Sequence, residues 1–123
     1  MPDINYVLLY VDNPPASAKF YGDLLGKSPL DVAPTFALLA MDNGLMLGLW
    51  SKSGVEPKPA GAAGGGEIAI KVADGDAVRA TYADWAKRGL PIAQKPTDMD
   101  FGPTFVALDP DGHRLRVFAT AEP

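Results

Sequence analysis

Apolar and polar positions change period along this chain in one order, and the order occurs twice. Residues 4–12 predict a strand, because Tyr6, Leu8 and Tyr10 alternate with Val7, Leu9 and Val11. Asn13-Pro14-Pro15 then signals a helix start, with Asp12 or Asn13 as cap and proline tolerated in the first turn. Ala16, Phe20 and Leu24 fall on one face of that helix, and Gly26 suits its end. Pro29–Val32 reads as a short strand. Thr35–Met41 and Leu45–Trp50 read as a hairpin turned by Asp42-Asn43-Gly44. From Glu67 the order repeats: a strand to Val72, then a helix capped by Asp74 or Asp76 that carries Val78, Tyr82 and Trp85 inward and stops at Gly89 and Pro91. Ile92–Gln94 is a short strand, and Thr104–Leu108 and His113–Phe118 pair across Asp109-Pro110-Asp111-Gly112. The fold class is therefore α+β, built from two βαβββ modules.

The repeat sets the domain organisation. Residues 1–123 form a single domain of two modules, 1–51 and 67–123, with residues 52–66 as a linker rich in Ser, Gly, Pro and Ala. A module of about 60 residues buries a modest fraction of its surface alone, so the halves are expected to lean on each other.

Alternation also sorts the strand side chains by face. The uniformly aliphatic sets, Val7/Leu9/Val11 and Ile68/Ile70/Val72, should pack under the helices. The other face then carries Tyr6, Tyr10, Met46 and Trp50 from the first module and Glu67, Arg116 and Phe118 from the second. Aligning Gly44 with Gly112 sets Gly48 against Arg116 and Trp50 against Phe118. So apolar a face should line a cavity or an interface.

Composition narrows the function. The formal net charge is −4, with acids and bases mixed along the chain, which argues against nucleic acid or an anionic membrane as partner. There is no cysteine, so disulfides, thiolate metal sites and cysteine nucleophiles are excluded. No apolar stretch reaches about 18 residues, and Met1-Pro2-Asp3 does not open a signal peptide, so a cytoplasmic location is expected. His113 is the only histidine, which leaves nucleophilic triads unsupported and suggests a hydrogen-bonding role at its turn. Gly64-Gly65-Gly66 lacks the Lys-Ser/Thr ending of a phosphate loop and precedes a strand. Asp98 and Asp100 lack calcium-loop spacing and read as solvated.

Val11-Asp12, Phe20-Tyr21, Leu24-Leu25-Gly26-Lys27, Glu67-Ile68-Ala69-Ile70-Lys71-Val72 and Asp109-Pro110-Asp111-Gly112-His113 follow one another in an order that resembles the vicinal oxygen chelate superfamily. That group includes glyoxalases, bleomycin-resistance proteins and extradiol dioxygenases. The resemblance implies two βαβββ modules whose curved sheets enclose a cleft, commonly in a homodimer. It also implies a divalent metal held by four side chains, at positions that match Tyr6, Gly48, Glu67 and Arg116 here. Glycine offers no donor, arginine is a fixed cation and tyrosine would have to ionise, so no metal and no cofactor are expected. Leu49-Trp50-Ser51 before the linker, and Asp100-Phe101-Gly102-Pro103-Thr104-Phe105 before the last turn, are similar to the small antibiotic-binding resistance proteins, particularly those that take phenazines.

The expected function is metal-free binding of a flat aromatic metabolite or antibiotic. Tyr6, Tyr10, Met46, Trp50, Phe101 and Phe118 would supply apolar contact, and Glu67 and Arg116 an ion pair that orients polar groups. Each has a plainer reading: filled core or dimer contact for the rings, a structural remnant for the ion pair. Phe101 is expected as a lid and Phe105 as core. The alternatives are a metal-dependent glyoxalase-like lyase or dioxygenase, a metal-free enzyme with Glu67 as general base, and an interaction module whose aromatic face meets a partner chain.

Overall fold

The computed structural model describes residues 2–121, so the ends of the expected modules at Met1 and at residues 122–123 lie outside the described residues. The chain divides into two compact units, Met1–Gly61 and Ala62–Pro123, and the division falls within the stretch 52–66.

In the first unit, β1 (Tyr6–Val11) leads into α1 (Pro14–Leu25), then β2 (Asp31–Val32), β3 (Phe36–Ala40), β4 (Met46–Ser51) and a 3₁₀ turn at Lys52–Gly54. The sheet order is β1-β4-β3-β2. β1 and β4 run parallel, which the intervening helix makes possible, and the other pairs are antiparallel. Asn13 caps α1 by accepting from the Ala16 amide at 3.1 Å. Val11, Ala37, Leu39, Leu47 and Leu49 form the apolar floor against which α1 lies.

The buried face of α1 is not Ala16/Phe20/Leu24. Pro14, Ser17, Ala18, Tyr21 and Gly22 face the sheet, Ala16 is exposed, and Phe20 and Leu24 are half-buried. Phe20 and Tyr21 are adjacent and both apolar, so periodicity alone does not choose between them. Ser17, Ala18 and Gly22 are small enough to let the helix approach closely, and they set the phase. Phe20 meets Tyr21 edge-on at 5.0 Å.

The second unit repeats the plan with β5 (Glu67–Lys71), α2 (Gly75–Lys87), β6 (Ile92–Met99), β7 (Gly102–Leu108) and β8 (Arg114–Phe118). The sheet order is β5-β8-β7-β6, again with the first and last strands parallel. Asp74 caps α2 through the Ala77 amide at 2.9 Å. Val78 and Trp85 are buried, and Trp85 and Tyr82 both meet Phe105 edge-on at 5.5 Å. Phe105 is core, as expected.

β6 is longer than the three residues expected, running through Pro96 to Met99 and turning directly into β7. Proline removes a ladder donor, so the sequence reads as a strand end. The structure accommodates it at a register shift between Gln94 and Thr97. Gly102 closes the tight turn at φ 138°, and its Cα faces the chain after β8. No helix among the described residues is long and apolar enough to cross a membrane.

Gly102→Ala should therefore be far more damaging than a change at the helix-ending Gly26. An added Cβ at Gly102 would meet the Ala119 carbonyl and come within 2.7 Å of the Ala121 amide, whereas at Gly26 (φ 65°) it would meet nothing within 4 Å. Urea denaturation should give a loss of about 1–2 kcal/mol for Gly26→Ala and more than about 4 kcal/mol for Gly102→Ala.

Candidate functional site

The non-helix face of the first unit carries no charge on its two paired strands. Parallel register sets Tyr6 beside Met46, Leu8 beside Gly48 and Tyr10 beside Trp50. Tyr10 and Trp50 meet edge-on at 6.3 Å, while Met46 and Trp50 are half-buried. Tyr6, Leu8 and Tyr10 are 53, 43 and 40% exposed, which is unusual for a row of large apolar side chains.

The same face of the second unit is polar and ordered. Glu67 and Arg116 form the ion pair expected from the sequence, and its geometry is bidentate. Arg116 Nε donates to Glu67 Oε1 at 2.9 Å and its Nη2 donates to Oε2 at 3.0 Å. Arg116 Nη1 donates to Gln94 Oε1 at 3.2 Å and to Thr104 Oγ1 at 3.1 Å. The buried Thr104 hydroxyl in turn donates to the Val117 carbonyl at 2.9 Å. Four of the five guanidinium N–H groups are thus committed, and the side chain is held rather than flexible. Two residues were missed. Arg114 Nε donates to Glu67 Oε2 at 2.8 Å, making the pair a triad, and Gln94 tethers Arg116 from β6. Alternation along Arg114-Leu115-Arg116 sets the first on the same face as Arg116; Gln94 lies in the expected strand Ile92–Gln94, but no sequence signal pairs it with Arg116 on β8.

Phe101 and Phe118 join this cluster. Their rings meet edge-on at 6.0 Å, and the Arg116 guanidinium carbon lies 5.9 Å from the Phe101 ring centre. Phe101 is 42% exposed at the β6–β7 turn. The turn is tied by backbone bonds, with the Ala119 amide donating to the Pro103 carbonyl at 3.0 Å and the Ala121 amide to the Phe101 carbonyl at 2.8 Å. The main chain of Phe101 is consequently anchored at the edge of the cluster.

The four positions that the resemblance gives to metal ligands do not suit a cation. Gly48 itself offers no donor, and a Cβ there would stand 2.6 Å from Leu8 Cδ2 and 3.0 Å from Phe36 Cζ, so a donor side chain would have to displace both. At the equivalent place in the second unit stands Arg116, a permanent cation. Both Glu67 oxygens are engaged by guanidinium groups, with Arg116 the main cause of a carboxyl pKa below its ordinary value. Among the described residues, Asp109, Asp111 and His113 do bring donors within 4.8 Å of one another. The turn uses them: Asp109 Oδ1 accepts from the Asp111 and His113 amides, and Oδ2 lies 2.8 Å from His113 Nδ1. His113 therefore has the turn-fixing role expected.

Comparison with known proteins places this geometry in context. Residues 3–117 match the family described as the Glyoxalase/Bleomycin resistance protein/Dioxygenase superfamily. The chain is 31% identical over 116 residues to the phenazine antibiotic resistance protein EhpR of Enterobacter agglomerans, covering 92% of this chain and 88% of that one. It is 49% identical to protein ATC0852 of Agrobacterium tumefaciens, whose solution structure superposes with a TM-score of 0.90 over 99% of this chain and 100% of that one. A glyoxalase-related enzyme of Fulvimarina pelagi, 20% identical, shares the fold with a TM-score of 0.83 over 98% of this chain and 89% of that one.

The Glu67 triad has a definite pH signature. Because the folded pKa of Glu67 is depressed below its ordinary 4.5, its contribution to stability is fully present above that value. It is lost as pH falls towards and through the folded pKa. Urea midpoints measured from neutral to acid pH should fall less steeply on the acid side for Glu67→Gln than for the natural chain.

Proposed function

This chain belongs to the Glyoxalase/Bleomycin resistance protein/Dioxygenase superfamily, and from that premise we propose that it binds a small flat aromatic molecule of the antibiotic kind, without a metal at the family's ligand positions. The observation that carries this reading is the aromatic–guanidinium cluster of Phe101, Phe118 and Arg116. Its guanidinium is pre-ordered by Glu67, Gln94 and Thr104, so little side-chain freedom is lost when a planar ligand arrives. The similarity to a phenazine antibiotic resistance protein supports the same ligand class. Metal-dependent lyase or dioxygenase chemistry is the weaker reading, since it needs donors where Gly48 and Arg116 stand.

We take the working form to be a homodimer in the cytoplasm. The support is the row Tyr6, Leu8 and Tyr10, which is too apolar to remain broadly solvated. Sedimentation equilibrium should give twice the chain mass of 13.0 kDa.

Calorimetric titration with phenazines as planar probes tests the binding reading. Saturable binding is expected, with affinity unchanged after treatment with a chelator. Phe118→Ala and Phe101→Ala should each weaken it about 2- to 10-fold, the range for loss of one aromatic contact. No binding by a folded sample would remove the proposal.

A further inference from the structure

We infer that the ligand is an acid: a flat aromatic carboxylate whose anionic group docks on the outer edge of Arg114. This rests on the aromatic-binding reading above and names the ligand class for that site.

The argument begins with charge. On the non-helix face of β5 and β8 stand one carboxylate, Glu67, and three cations, Lys71, Arg114 and Arg116. Glu67 is shared by two guanidinium groups, so the triad retains a net positive charge after pairing. Lys71 has no ion-pair partner among the described residues. A chain with net charge −4 thus concentrates surplus cations on one sheet face. The corresponding strands of the first unit carry none there. Surplus charge on a lined surface favours an anionic ligand and speeds its encounter.

The second step is donor availability. Arg116 is nearly exhausted, with four N–H groups bound inside the protein. Arg114 is not: only its Nε is engaged, and its Nη1 and Nη2 have no partner among the described residues. Glu67 fixes the Nε side of the guanidinium and leaves the outer fork, which matches a carboxylate in two-point geometry.

The third step is space. Arg114 opens onto a shallow groove of ≈ 530 Å³ lined by Gly64, Gly65, Gly66, Glu67 and Ala69. Three consecutive glycines form one wall, and a Cβ on any of them would meet nothing within 4 Å. With Ala69 also small, a carboxylate and the ring edge beside it can reach Arg114. Successive side chains on this face lead from Arg114 through Arg116 to Phe118, so the acid end lies on the glycine side and the ring towards Arg116 and the phenylalanines.

The experiment compares phenazine-1-carboxylate with phenazine-1-carboxamide by calorimetry at neutral pH, where only the first is charged. The acid should bind about tenfold or more tightly than the amide, as a charge-assisted contact requires. Arg114→Gln should bring the ratio of the two affinities close to one. Lys87→Gln, which removes a cation from α2, should leave the ratio intact. A readout independent of any variant is salt: raising sodium chloride from about 0.05 to about 0.5 M should lower the acid's advantage in the natural chain. Equal affinities for acid and amide would overturn the inference while leaving the aromatic-binding reading standing. Failure of both probes to bind would overturn both. An acid preference that survives Arg114→Gln would overturn the assignment to Arg114.

Discussion

Each unit depends on a parallel ladder between its first strand and its last. β1 meets β4, and β5 meets β8, across some forty residues of intervening chain. In the chain path, the helix and the two middle strands lie between the strands that the ladder joins. Once formed, it fixes which side chains share the non-helix face. Glu67, Arg114, Arg116 and Phe118 are brought together by this one pairing, and so are Tyr6, Gly48 and Trp50 in the first unit. Register does the rest: a slip of one residue would turn the slipped strand's share of these side chains to the opposite face.

Much of this was legible because the local signals agree. Asn13 and Asp74 cap their helices, and Gly26 ends α1 in the left-handed region. The aliphatic sets of β1 and β5 are the less exposed ones, as alternation requires. The Glu67–Arg116 pair was expected from the metal-ligand positions that the family resemblance implies, and the two side chains do meet in bidentate geometry. What stayed hidden is physical too. Pro96 ends a strand in sequence but sits at a register shift in space, which concealed the half of β6 beyond Gln94. Adjacent Phe20 and Tyr21 made the phase of α1 ambiguous. Alternation puts Arg114 on the face of Arg116, but that one carboxylate, Glu67, holds both guanidinium groups is set by side-chain reach across the ladder.

The two units use one scaffold for opposite electrostatic ends. Where relatives of this fold are expected to gather donors around an ion, this chain has Gly48, which offers no donor, beside Leu8 and Phe36, and Arg116 locked to Glu67. A guanidinium keeps its charge across the physiological range. Positive potential at that spot is therefore written into the polypeptide and does not rise and fall with metal supply.

The stretch after β8 has a consequence of its own. Residues 119–121 run beside Pro103 and Phe101, pinned by two main-chain bonds and fitted against the bare Cα of Gly102. The chain's last described residues thus act as a splint for the aromatic tip of the neighbouring hairpin. Any fusion, cleavage or partner that pulled the splint away would loosen Phe101 without touching a single residue of the cluster.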